Sequence, residues 1–180
     1  VAPTTFGGAV SGVSTFTATG GRIETQGVSS TGAQQFNGPT VLTSNATFVA
    51  SDSGGTITFG SSVDSDGTAR TLVATASGET FFGGPVGATS PLATFTVNGG
   101  GSTRLRNNVT TTGAQTYVDA VILDATSAEQ VFTLSGTDID FQSTVAVDAG
   151  DTASLVADGG TAPGNFVRFA AGAGSGSGTL

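Results

Sequence analysis

Apolar and polar residues alternate along short stretches of this chain. Thr15–Thr19 (TFTAT), Thr56–Gly60 (TITFG), Ala93–Val97 (ATFTV) and Asp138–Gln142 (DIDFQ) place an apolar side chain at every second position. That is the period of a strand with one buried face. Between such stretches lie DSDG at 64–67, NGGG at 98–101, DAGD at 148–151 and ADGG at 157–160, whose residues favour turns. Glycine and β-branched residues interrupt every window of helical length, so almost no helix is expected.

The strands recur with a period. An aromatic or aliphatic residue is followed four positions later by valine at Phe59 and Val63, Phe82 and Val86, Leu105 and Val109, Tyr117 and Val121, and Phe141 and Val145. Phe36 and Val41 form the same pair with one residue added. Val41, Val63, Val86 and Val109 are separated by 22, 23 and 23 residues, and Val121 and Val145 by 24. A period of about 20–25 residues without helical patterning is that of a β-solenoid. The twelve residues of these pairs form the predicted structural core, as one aromatic column and one valine column with neighbours about 4.8 Å apart. The chain length predicts about eight coils.

A longer repeat encloses the shorter one. FGGAV at 6–10 returns as FGGPV at 82–86 and FAAGA at 169–173, after 76 and then 87 residues. Between these anchors Arg22-Ile23 matches Arg104-Leu105, STGAQ at 30–34 matches TTGAQ at 111–115, and Ile57 and Phe59 match Ile139 and Phe141. Val63 likewise matches Val145, and Leu72-Val73 matches Leu155-Val156. The predicted organisation is one continuous solenoid over 1–180, with repeat A about 6–81, repeat B about 82–168 and the start of a third copy at 169–180. The TGAQ phrase falls where the valine spacing shortens to 13 residues (Val28 to Val41) and 12 (Val109 to Val121). It predicts a tight turn between two strands of one coil, with glycine supplying a positive φ.

FGGPVG, VTTTGAQTYVDAVIL and TITFGSSVDSDG resemble phrases in the repeat arrays of very large bacterial exported proteins of the filamentous-haemagglutinin and autotransporter passenger kind. The resemblance covers roughly residues 6–173. It departs from the pattern at FAAGA and at the longer turn DGGTAPGN. It implies a right-handed parallel β-helix, export, and a rod or filament at the cell surface, often in adhesion or in an extracellular matrix.

Composition narrows the chemistry. The 180 residues contain no His, Cys, Met, Trp or Lys, which excludes a Ser-His-Asp triad, a thiol nucleophile and soft-metal sites. Thirteen acids against five arginines give a net charge of -8, which repels phosphate backbones and anionic lipid. No apolar run reaches the ~20 residues of a membrane helix, so neither nucleic acid nor membrane insertion is expected. The expected partners are the chain itself, end to end or within a longer chain, and glycans or proteins of a host or neighbouring cell surface.

Carboxylates are the remaining candidates for catalysis. Asp138 and Asp140, two apart on a strand, and Asp64 and Asp66 in a turn could form the acid pair of a polysaccharide-processing β-helix enzyme. The bland alternative is a solvated outer face, favoured because Thr56 and Thr58 replace Asp138 and Asp140 in the other copy. Asp64, Asp66, Asp148 and Asp151 are candidates for a loosely bound calcium ion, although Thr75 stands where an EF-hand loop begun at Asp64 needs its twelfth-position acid. Thr-x-Thr pairs at 15/17/19, 56/58, 94/96 and 110/112 raise an ice-binding face as a minor alternative. Arg104 and Arg106 flank Leu105 and are expected to meet acids on a neighbouring coil. Asn45 and Asn108 open Asn-x-Thr sequons. No catalytic residue and no cofactor is expected, and the chain is read as a structural segment of an exported protein.

Overall fold

The computed structural model describes residues 2–170, and there the alternating stretches become strands of a solenoid of about seven turns. In chain order the strands are β1 (Thr4–Thr5), β2 (Val10–Val13), β3 (Phe16–Ala18), β4 (Ile23–Ser30), β5 (Gln34–Phe36), β6 (Thr40–Ala50) and β7 (Ile57–Phe59). They continue as β8 (Val63–Ser65), β9 (Thr71–Ala76), β10 (Glu79–Phe82), β11 (Thr94–Asn98), β12 (Ser102–Leu105), β13 (Val109–Thr110) and β14 (Gln115–Tyr117). The last are β15 (Ala120–Leu123), β16 (Gln130–Ser135), β17 (Ile139–Phe141), β18 (Val145–Val147), β19 (Ala153–Asp158) and β20 (Val167–Phe169). No helix occurs among the described residues. Pairing is parallel at every ladder, each strand lying on its counterpart one turn earlier.

Three faces close each turn. Face I stacks Ile23, Thr40, Val63, Val86, Val109 and Leu134. Face II stacks Val28, Phe48, Ala74, Val97, Tyr117, Phe141 and Phe169. Face III stacks Ala18, Phe36, Phe59, Phe82, Leu105, Leu123 and Val147. Strands β4 and β6 run through the corner from face I to face II, and the ladder bulges between Thr25 and Gly27. Gly27 has φ 115° there, and a Cβ would lie 2.4 Å from the Thr47 carbonyl oxygen, so the bend admits only glycine.

The interior is filled by one contiguous apolar cluster. Its aromatic rings touch in sequence from Phe6 through Phe16, Phe36, Phe59, Phe82, Phe95, Tyr117 and Phe141 to Phe169, with centroids 4.8 to 5.5 Å apart. Each fully buried ring contributes roughly 1.5–3 kcal/mol.

Two expectations change. Val41 is half-buried and faces outward, because the residue added after Phe36 sets Thr40, 1% exposed, into the inward column with Val63. The turns number about seven rather than eight, because paired positions lie from 17 (Ile23 and Thr40) to 28 residues apart (Phe141 and Phe169).

The single aromatic column also divides. Phe36, Phe59 and Phe82 stand on face III, whereas Tyr117 and Phe141 stand on face II. The cause is the phase of the long repeat. From Ile23, three turns on face I lead through Thr40 and Val63 to Val86; Val97 on face II and Leu105 on face III then follow. Arg22-Ile23 and its counterpart Arg104-Leu105 are therefore three turns and two faces apart. The same offset separates Phe59 from Phe141, Val63 from Val145 and Leu72 from Leu155. Each long repeat is set back by one face relative to the last.

Candidate functional site

The two TGAQ phrases illustrate that phase. TGAQ at 31–34 turns the chain from face II to face III, and TGAQ at 112–115 turns it from face I to face II. The local structure is nonetheless the same. The amide nitrogen of Gln34 donates to the Val28 and Val49 carbonyls at 3.0 and 2.7 Å and to Ser30 Oγ at 3.1 Å. Gln115 donates to the Val109 and Ser135 carbonyls at 3.3 and 2.9 Å and to Thr111 Oγ1 at 3.3 Å. Both hydroxyls donate onward at 2.7 Å, to the Gly32 and Gly113 carbonyls. Each glutamine is at most 1% exposed and fastens a corner to the next turn. Neither Gly32 nor Gly113 has the expected positive φ. Gly113 is needed for space, since a Cβ there would lie 2.5 Å from the Ala93 carbonyl oxygen, whereas at Gly32 the nearest atom, the Ser14 carbonyl oxygen, would be 3.1 Å away.

The outward acids are almost all engaged. Asp64 Oδ1 accepts the Thr89 and Ser90 amide N–H groups at 2.8 and 3.1 Å and fixes the loop after Val86. Asp66 pairs with Arg70 at 2.8 Å, which holds its carboxyl below the usual carboxylate range. Asp138 accepts the Phe166 N–H at 3.2 Å. Asp140, expected on a solvated face, is only 7% exposed; Arg168 and Gln142 cover it and hold its carboxyl low. Asn45 and Asn108 each accept a backbone N–H from the following turn, Thr71 at 3.0 Å and Thr133 at 2.9 Å. These two sequon asparagines act as braces, a role that becomes legible only once the turn register is known.

The densest charge cluster lies outside face III, where Glu79, Arg104, Arg106, Asp124 and Asp148 line a shallow recess with Phe81. Arg104 bonds Glu79 at 2.9 Å and reaches Asp148, 44 residues later. Its hydrogen bond holds the Asp148 carboxyl low. Arg106 pairs with Asp124 at 2.9 Å and lies over the Phe81 ring at 4.9 Å. Asp124, Asp148 and Asp151 bring one carboxylate oxygen each within 4.8 Å of one another, the one such grouping of three among the described residues, and Asp148 in it already bonds Arg104. Asp148 and Asp151 are two of the four calcium candidates; Asp64 and Asp66 stand elsewhere. Asp124 lay outside the sequence reading, although its neighbour Leu123 lies in register with Val147, beside Asp148.

A second groove, of about 690 Å³, runs past Arg22, Pro39, Asp64, Asp66, Ser90 and Pro91. Both depressions are open, and in both the carboxylates already bond arginines or backbone amides. The threonine pairs are mostly interrupted: Thr17 stacks on Gln35 and Thr58 on Phe81, while Thr96 lies between Val73 and Thr116. Thr71 and Thr94 stand directly over one another, their hydroxyls 3.1 Å apart. No protein-family profile, curated protein or solved structure matches the chain.

Proposed function

We propose that this chain is a length of structural rod in an exported, cell-surface or extracellular protein of bacterial origin, adhesive or matrix-forming in its biological setting. One observation carries the reading: every turn serves chiefly as the surface on which the next turn packs. The inward positions form unbroken columns, and the outward polar groups brace successive turns. Arg104, Arg106, Arg168, Asn45, Asn108 and Asp64, which could have been free to meet a substrate, instead join one turn to another.

The resemblance of FGGPVG, TTTGAQTYVDAVIL and TITFGSSVDSDG to the repeat arrays of filamentous-haemagglutinin and autotransporter passenger proteins points the same way. It supplies export and surface display. The rod continues through a longer chain or by end-to-end joining, and its contacts are glycans or proteins of a neighbouring or host surface. No metal or cofactor is needed for such a role.

Electron microscopy of native material at near-neutral pH tests the proposal. Unbranched rods with an axial repeat near 4.8 Å are expected. Compact particles without that repeat would remove the rod. The enzyme alternative has its own test in a polysaccharide panel. Turnover that disappears in Asp138→Asn would move the carboxylate enzyme to first place, and the absence of turnover is the expected result.

A further inference from the structure

Phe82 makes two ring contacts that its counterparts make only by halves. It stacks on Phe59 of the preceding turn, with centroids 5.1 Å apart and planes at 14°, and meets Phe95 on face II at 5.2 Å. Phe169 has the first contact, stacking on Phe141 at 4.8 Å and 13°, and is 43% exposed. Phe6 has the second, an edge contact at 5.3 Å with Phe16. Phe16 is the counterpart of Phe95, because TFTATGG at 15–21 returns as TFTVNGG at 94–100. The two edges of the described solenoid thus carry complementary halves of an arrangement held whole at its centre.

We infer that a second copy of this chain docks its first turn on the turn that ends in β20, set back by one face, with Phe169 of the first copy taking the place over Ile23 that Thr4 holds in the second copy and its ring taking over the contact of Phe6 with Phe16. The inference rests on the rod reading and adds the partner and its register. The centre of the chain already displays the junction. There Val86 pairs with Val63, Thr96 with Val73, Val97 with Ala74, and Leu105 with Phe82. Moved back by one long repeat on one side and forward by one on the other, these pairs become Val10 on Val145, Thr17 on Val156, Ala18 on Ala157 and Ile23 on Phe169.

The junction is chemically permissive. None of those eight positions is charged; the same register sets Thr19 beside Asp158 and Arg22 beside Arg168 at the border of the contact, where each arginine is already paired with a carboxylate of its own copy. Among the described residues no strand covers the outer edges of β18, β19 and β20, which leaves a row of backbone groups for a further strand. β1, two residues long and at most half-buried, must yield in the second copy, and in the first copy residues 171–180 must give up the place that their match to the second copy's first turn would assign them. β20, three residues long and exposed throughout, takes the place of β1 against Ile23.

The chain has no cysteine, so single introduced thiols read the register directly. Thr17→Cys and Val156→Cys, both at outward positions, are mixed under mild oxidation. Strands paired at these residues bring two Cα atoms within disulfide reach. A linked heterodimer is expected, together with a ladder of multimers when one chain carries both substitutions. Phe169→Asp should abolish both products while circular dichroism stays that of the folded chain.

Mixing Thr17→Cys with Ala146→Cys reports the unrotated setting, because both residues occupy the outward middle position of face III. Crosslinking of that pair instead overturns the register. Strictly monomeric sedimentation of the folded chain at high concentration overturns the junction itself. The rod reading fails separately, if microscopy of native material shows no axial repeat.

Discussion

At the residue scale, the two corner glutamines differ in one atom's worth of satisfaction. Tyr117, fully buried, donates its hydroxyl to Gln115 Oε1 at 2.8 Å, and burial pushes its phenol well above the usual range. In the other copy Phe36 takes the same place two residues after Gln34, and Gln34 Oε1 is left buried without a partner. A buried unpaired acceptor costs about 1–3 kcal/mol, whereas a completed hydrogen bond contributes about 1. Phe36→Tyr is therefore expected to raise stability by about 1 kcal/mol, and Tyr117→Phe to lower it by about 1–3 kcal/mol. Thermal and urea unfolding of both variants check the pair. Equal small losses from both would mean that the hydroxyl at 117 does not support the glutamine.

At the element scale, the solenoid depends on turns that pack backbone against backbone. A Cβ on Gly101 would meet the Gly78 carbonyl oxygen, whereas one on Gly7 has nothing within 4 Å. Gly101→Ala is expected to cost about 1–3 kcal/mol by overpacking, and Gly7→Ala to be close to neutral; denaturant midpoints separate them. Much at this scale was legible in the sequence. Alternation marked the strands, the 23-residue spacing of Val63, Val86 and Val109 is a real column, and Arg104 and Arg106 do meet acids of neighbouring turns. Phase was not legible. A TGAQ corner satisfies its own backbone through Gln and Ser or Thr, so it fits any corner of the triangle. Sequence identity between two copies therefore does not say that they share a face. For that reason the sequence alone does not separate Tyr117 and Phe141 from Phe36, although they stand on different faces. Nothing in the sequence around Asp124 marks it, because its partners Arg104, Arg106 and Asp148 are gathered by stacking rather than by proximity in the chain.

At the scale of the whole molecule, charge sets how the rod responds to acid. Asp66, Asp140 and Asp148 are held below their ordinary values by Arg70, Arg168 and Arg104 respectively. The folded chain thus binds these protons less readily than the unfolded chain. The stability they contribute is complete above about pH 5 and is lost as the pH falls below the ordinary carboxylate value of about 3.9. With no histidine, no side chain of ordinary pKa supplies a transition between about pH 5 and 8. The melting temperature should therefore be level across that range and fall below about pH 4. Asp140→Asn should flatten the fall only slightly, because Arg168 is 56% exposed and such pairs contribute about 0–1 kcal/mol. Association follows a different course. Near the isoelectric point of about 4.1 the mutual repulsion of acidic copies vanishes, while the paired positions Phe169 and Ile23 are themselves apolar and the arginines beside them, Arg168 and Arg22, keep their charge. Joined species should therefore be most abundant near pH 4 and give way to unfolding below it. Sedimentation and melting measured on the same samples between about pH 3 and 8 would separate the two. A loss of joined species already between pH 6 and 4 would show instead that ionised carboxylates hold the copies together.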